Sequence, residues 1–425
     1  MKGLCSSDTR QYLPGHQLWE APVQIRRYSA VIHHATKCQW GVIPSRTINV
    51  SLHQTRRMRV AAVGIGGAGG RIVERLWQDN ERRETTYLGA ACAVDTDTEA
   101  LDELDALPAD RRYAFGLSET NGTGTNGDRT SGTAAIEDER LEVRRAIDEL
   151  VTSDIDAVVL VAGLAGGTGS GATAHIADAL REVYSIPVYC LSVLPAGRDD
   201  DAAANTMQAL RALESTVDGQ ILFDNEAWLG SGQTVESASE TLNETIVARL
   251  GALFAAGEAT APDAVGQSVV DASEIINTLS DAGFTTLGYA SQDLQTGAGS
   301  GDGTVIDQLK NRFLGDNADD VDEIEAYNAV ETTLRRAVRG KLTAQCELDS
   351  ADRALAVFAG PPAWLIRDAV TDGRRWLTEE LQSPEVRSGD MPTPDRNTLS
   401  VLVVVSGVTE LPRLVELKTL AEQSS

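Results

Sequence analysis

From position 59 onward, short apolar runs alternate with segments whose apolar residues recur at helical spacing. Residues 60–65, 88–94, 157–161 and 188–193 are strand-length and apolar almost throughout, as strands covered on both faces are. Between them, helical periodicity predicts helices over about 70–78, 137–152, 172–184 and 201–214, with a loop over the Gly/Thr/Asn/Ser stretch 118–133. Strand and helix in alternation imply right-handed βαβ units, a parallel sheet, and a ligand at the carboxyl ends of its strands. A long helix follows over 234–255, then a connector, 256–266, with Gly257 and Pro262, and a Gly/Ser/Asp loop, 295–303. The order then changes to helix 322–339, strands 341–347 and 354–359, helix 362–381, strand 399–405 and helix 410–421, which predicts a separate α+β unit.

Length and charge narrow the class. A chain of 425 residues can bury a large core and divide into two or three domains. Its net charge of -26 excludes a general nucleic-acid binder, because phosphates would be repelled. Residues 1–57 hold eight Lys and Arg against Asp8 and Glu20, while 58–425 hold 29 basic and 61 acidic side chains, with Lys310, Lys341 and Lys418 as the only lysines. Acid in place of surface lysine keeps a protein hydrated where concentrated salt screens self-repulsion, so a cytoplasmic protein of a halophile is expected. Cys5, Cys38, Cys92, Cys190 and Cys346 form no C-x-x-C pair, and no apolar run reaches the length of a membrane span. Residues 1–57 carry four of the five histidines and no sustained period; the folded protein is expected to begin near Met58, with this segment disordered or not native.

The chemistry concentrates in glycine. Ala165-Gly166-Gly167-Thr168-Gly169-Ser170-Gly171 lies between a strand and an alanine-rich helix. Such a turn aims backbone N–H groups and the positive end of a helix dipole at one point, which suits phosphate, and the Thr168 and Ser170 hydroxyls add donors. A tight connection without a ligand is the bland alternative. An earlier loop, Gly64-Ile65-Gly66-Gly67-Ala68-Gly69-Gly70, fits G-x-G-x-x-G after a strand, with Asp95 or Asp97 after the next strand. Alone it suggests a dinucleotide-binding unit and an NAD-dependent oxidoreductase, but such a unit has no use for a second phosphate loop in the same sheet. No G-x-x-x-x-G-K-[ST] occurs, so the P-loop mechanism is excluded.

Two glycine loops without a P-loop lysine resemble the tubulin/FtsZ superfamily. AGGTGSG at 165–171 is similar to its GGGTGSG signature, and GIGGAGG at 64–70 resembles the first nucleotide loop of FtsZ. Within the superfamily the chain is most similar to the CetZ group, through Leu194-Pro195-Ala196-Gly197, Asp224-Asn225-Glu226-Ala227-Trp228, residues 270–279, Val338-Arg339-Gly340-Lys341-Leu342-Thr343, Phe358-Ala359-Gly360-Pro361-Pro362 and Val405-Ser406-Gly407-Val408-Thr409.

The resemblance implies a parallel-sheet GTP-binding domain joined by a long core helix to a smaller α+β C-terminal domain. Domains are accordingly expected at 58–255, with a linker and catalytic loop at 256–285 and the C-terminal domain at 286–425. GTP or GDP would be held by Gly66, Gly67, Ala68, Gly69, Gly70, Gly166, Gly167, Thr168, Gly169, Ser170 and Gly171. Asn225 and Asn243 match the family's guanine contacts, and an amide offers donor and acceptor together. Asp199 is the candidate ribose contact, and 121–127 the candidate γ-phosphate loop. Asp271 and Glu274 match the loop that one subunit projects onto the next subunit's nucleotide, with Mg²⁺ offsetting phosphate charge; their bland alternative is capping of a helix.

Assembly would be head-to-tail with copies of the same chain, leaving room for other tubulin-like partners, in a cytoplasmic filament controlling cell shape. Ala165 for the first signature glycine, Val269 for an Asn, and Gly70-Arg71 where FtsZ carries Asn depart from the pattern and bear on hydrolysis; Arg71 could bind phosphate or lie on the helix surface. A family member that binds nucleotide without hydrolysing it remains an alternative.

Overall fold

A computed structural model describes residues 57–83, 85–258, 270–280, 283–294, 322–393 and 396–423. The expectations placed on 1–56, on the connector beyond Glu258, on Val269 and on the loop 295–303 lie outside these residues. In chain order the elements are β1 (Val60–Ile65), α1 (Gly66–Arg83), β2 (Leu88–Asp95), α2 (Thr98–Asp102), β3 (Arg112–Ala114), α3 (Leu117–Thr120), α4 (Arg129–Asp148), β4 (Ala157–Gly163), α5 (Gly167–Arg181), β5 (Val188–Leu194) and α6 (Asp200–Leu213). They continue as β6 (Gly219–Asp224), α7 (Asn225–Trp228), α8 (Val235–Phe254), α9 (Ala272–Leu279), β7 (Phe284–Asp293), α10 (Glu323–Arg339), β8 (Arg353–Gly360), α11 (Arg367–Leu381), β9 (Glu385–Pro392), β10 (Thr398–Val408) and α12 (Pro412–Gln423).

One ten-stranded sheet runs β3-β2-β1-β4-β5-β6-β7-β10-β8-β9. Strands β1 to β6 pair in parallel, and β10 lies antiparallel between β7 and β8. The strand period of two explains the apolar runs: in β1, Ala61, Val63 and Ile65 enter the core on one face, while Val60 and Ala62 enter the core on the other. The α+β half is continuous with the parallel half through a short β6–β7 ladder, Gln220 opposite Phe284 and Ile221 opposite Thr285. Helix α8 covers this junction, its Leu250 and Phe254 sharing a core with Val159 of β4 and with Leu355 and Val404 of β8 and β10.

Several expectations shift. Helices α1 and α5 begin four and five residues before the predicted starts, because the loop glycines form the first helical turns. The predicted loop 118–133 contains the end of α3 and the start of α4, whose cap is Asp128 accepting from the Thr130 and Ser131 N–H groups. Residues 341–347 form no strand: Leu342 makes a single bridge to Gly288, and Thr343 instead bonds side chain and carbonyl to neighbouring strands. The predicted helix 362–381 is a turn of 3₁₀ helix at Pro362–Trp364 followed by α11. Strands β7 and β9, too polar to read as buried runs, were not expected.

Candidate functional site

The carboxyl ends of β1, β2, β4, β5 and β6 open into a cleft of about 610 Å³. Three backbone segments converge there. The first is the start of α1: Gly66 turns the chain at φ +71°, and Gly67 and Ala68 line the cleft. The second is the start of α5, presenting Gly166, Gly167, Thr168 and Gly169. The two approach so closely that a Cβ on Gly66 would lie 3.3 Å from the Gly169 nitrogen. The third is 123–127, with Gly124, Asn126 and Gly127 all at positive φ, which lines the cleft along its whole length. Both helices point their N-terminal ends at the same space, the arrangement that holds anionic oxygen.

Buried hydroxyls lock these segments together. Thr168 Oγ1 lies 2.7 Å from Thr96 Oγ1 and 3.4 Å from Thr125 Oγ1. Asn205, on α6, donates from Nδ2 to the Gly127 carbonyl at 2.8 Å and to the Ala165 carbonyl at 2.9 Å, tying the second loop to the third. No sequence signal marks Asn205 or Thr96, since their partners are brought near only by the fold.

The remaining predicted residues separate by position. Asn225, buried at the start of α7, and Asp199, which caps α6 by accepting from the Ala202 N–H at 2.9 Å, both line the cleft. Gly69, Gly70, Ser170 and Gly171 do not. A side chain on Gly69 would strike the Val161 carbonyl, one on Gly70 would meet Leu104, and one on Gly171 would enter α4. Ser170 Oγ donates back to the Gly166 carbonyl at 2.6 Å. Asn243 is also outside the lining, about 10 Å further along α8 than Val235 and Glu236, which line the cleft.

Asp271 and Glu274 lie elsewhere again. The helix α8 starts at the cleft and runs about 30 Å. Beyond its far end, Gly257 packs so closely on Val270 that a Cβ would meet the Val270 carbonyl, and the next residue is Asp271. Asp271 Oδ1 accepts from the Glu274 N–H at 3.0 Å and Glu274 Oε2 from the Asp271 N–H at 3.4 Å, a reciprocal cap on α9. Burial raises the Glu274 carboxyl above its ordinary pKa, opposed by the Asp271 N–H. Both acids are half-buried, and neither lines the cleft.

Charge inside the cleft is unbalanced. Arg71 is the one cation among the lining residues, against Asp95, Asp97, Asp199 and Glu236. Burial pushes Asp95 up to about 6, partly offset by the N–H groups of Thr96 and Asp97 that its Oδ1 accepts. A polyphosphate fits the backbone donors but adds charge of the wrong sign for these acids, so it needs a cation beside it. Among the described residues no group of three or more His, Cys, Asp or Glu could hold a metal without such a ligand, and no helix is long and apolar enough to cross a membrane.

The chain is similar to known proteins along most of its length. Residues 59–233 match the GTPase domain of the tubulin/FtsZ family, and residues 232–423 match the C-terminal domain of tubulin-like CetZ. The tubulin-like protein CetZ5 of Haloferax volcanii is 39% identical over 369 residues, 86% of this chain and 92% of that protein. Among solved structures, GDP-bound monomeric CetZ1 from Haloferax volcanii aligns with a TM-score of 0.74 at 34% identity, covering 86% of this chain and 99% of the other. CetZ2 from the same organism, in a GTPγS-bound protofilament, also gives 0.74, at 32% identity over 86% and 98%.

Proposed function

We propose that this chain, which belongs to the tubulin/FtsZ family and within it to the CetZ group, is a GTPase that assembles head-to-tail into cytoplasmic filaments controlling cell shape. The observation that carries this reading is the placement of the phosphate cleft and the acid pair at opposite ends of α8. A group some 30 Å from the phosphates it acts on can reach them only from another molecule. When one copy's far end meets the next copy's cleft, Asp271 and Glu274 arrive where an attacking water would stand. A contact of this kind joins two different surfaces and does not close on itself, so it propagates as a filament.

In this reading the glycine-loop N–H groups hold the phosphate oxygens, and developing negative charge is met by donors already aimed at it. Asn225 contacts the base and Asp199 the ribose; Asn243 would need to approach from its place along α8. Mg²⁺, when bound with the nucleotide, would offset phosphate charge. Asp95 and Asp97 stand on the wall where such an ion would find oxygen ligands. Glu274, with its carboxyl made more basic by burial, is suited to polarise water once a neighbour's cleft covers it.

The test is GTP hydrolysis by the full chain in concentrated KCl with Mg²⁺, over a range of protein concentrations. Specific activity should rise above a threshold concentration, where assembly completes the site. Glu274→Ala should still bind GTP as monomer while losing turnover about a hundredfold or more. Loss of nucleotide binding by the monomeric variant would overturn the cross-subunit assignment. GTP bound yet never hydrolysed would indicate a regulator of other filaments, and no guanine-nucleotide binding at all would return the dinucleotide reading.

A further inference from the structure

Arg413 belongs to α12, the last described helix, yet its guanidinium is buried beside the nucleotide cleft. Its Nη2 donates to the Pro195 carbonyl at 2.8 Å and the Gly197 carbonyl at 3.2 Å. Its Nη1 donates to Glu416 Oε2 at 2.7 Å. Its Nε lies 3.4 Å from Asp224 Oδ1, an ion pair without hydrogen-bond alignment. A ring closes from there: Asp224 Oδ1 accepts the Glu226 N–H at 3.1 Å, and Glu226 Oε2 accepts the Gly197 N–H at 2.7 Å.

The ring encloses the turn at 195–197 and the start of α7. Pro195, Ala196 and Asp199 on one side, and Asn225 on the other, line the cleft. Gly197 has φ +78° and open space where a Cβ would stand, so side-chain packing at this position does not fix the turn, and these bonds fasten it. A buried ion pair returns little net stability, because desolvation offsets its attraction; what a fork of five fixed donors contributes is geometry. Burial raises Asp224 to about 6, opposed by Arg413 and by the Glu226 and Ala227 N–H groups.

Building on the GTP-binding reading, we infer that Arg413 is a positioning residue for the base and ribose end of the nucleotide site, making α12 of the C-terminal half a working part of that site. It touches no nucleotide itself. It acts through the 195–197 turn and through Asp224, the residue that places Asn225. Glycine loops at the phosphate end are held separately, by Asn205 and the buried threonines.

That separation supplies the test. Binding of GDP, inosine diphosphate and inorganic tripolyphosphate to the full chain is measured with Mg²⁺, below any assembly threshold. Arg413→Ala should weaken GDP by about tenfold to a hundredfold, shrink the preference for GDP over inosine diphosphate, and leave tripolyphosphate unchanged. Arg413→Lys, with the charge but not the fork, should fall between. Glu226→Ala opens the same ring from an exposed side chain and should shift the preference in the same direction without endangering the fold. An unchanged base preference in these variants, or equal weakening of GDP and tripolyphosphate, would overturn the assignment. A wild-type chain that binds no GDP would overturn the functional reading, and this inference with it.

Discussion

Gly166 and Gly169 stand three residues apart in one loop, but a methyl group would meet open space at the first and the Gly163 carbonyl oxygen at the second. Gly166 has φ −77° and ψ 158°, ordinary for any residue. Gly166→Ala should therefore melt within about 1 kcal/mol of the parent. Gly169→Ala forces β4 and α5 apart and should cost about 1–3 kcal/mol, with weaker nucleotide binding as the loop shifts. Denaturant melts of the two variants check this, and equal stabilities would show that the close approach is not structural. The contrast separates two reasons for glycine that sequence presents as one. Of the eleven loop residues implied by resemblance, seven line the cleft, while Gly69, Gly70, Ser170 and Gly171 serve the packing or bonding beneath it.

At the scale of elements, α9 raises a question of double use. Asp271 is both its N-cap and a candidate for cross-subunit chemistry. Asparagine caps a helix about as well as aspartate but carries no charge. Asp271→Asn should leave the melting transition within about 0.5 kcal/mol of the parent while suppressing GTP turnover, whereas Asp271→Ala should lose about 1 kcal/mol as well. Normal turnover by Asp271→Asn, measured where the parent hydrolyses GTP, would restrict Asp271 to its capping role. Helix α8 links the two ends: it begins at the cleft, packs under both halves of the sheet, and ends beside this cap. In its last two turns, the buried Arg249 lies over the Trp228 ring at 4.4 Å, and burial lowers its pKa to about 10. Trp228 in turn stacks on Phe223 of β6, so the segment carrying Asn225 rests on the core helix.

Over the whole molecule, acids outnumber basic side chains by 63 to 37, so the folded chain carries a net self-repulsion. The pairs present are mostly surface contacts between arginine and acid, such as Arg75 with Glu240 and Glu244, each worth little. Raising KCl from about 0.1 M to about 1 M shortens the screening length from about 10 Å to about 3 Å. The melting temperature should rise across that range, and a flat or falling value would mean that repulsion between carboxylates does not limit the stability of this fold. The continuous sheet also bears on how the halves communicate. With β6 laddered to β7, and Arg413 bonded from α12 to the Pro195 carbonyl, the C-terminal half is in direct contact with the segment that forms one cleft wall.

Local order was legible in the sequence where one physical cause prevailed. Strands β1, β4 and β5, apolar on both faces, announced a parallel sheet; the glycine clusters after β1 and β4 announced tight strand-to-helix turns at one edge of it; and the Asp271 and Glu274 spacing offered a helix cap as the alternative to a catalytic pair. Each signal lies within a few residues, so composition and period suffice to carry it. Tertiary structure decided the rest. Polar β9 becomes a strand because β8 offers it an edge, and 342–344 fails to become one because its bonds go to Asp224, Thr286 and Leu287. Which glycine lines the cleft and which packs beneath it, which Asn faces it, and that Arg413 holds its wall from some 190 residues beyond Asp224, all depend on contacts across long loops. A sequence records which groups are available; distance between them exists only after the chain has folded.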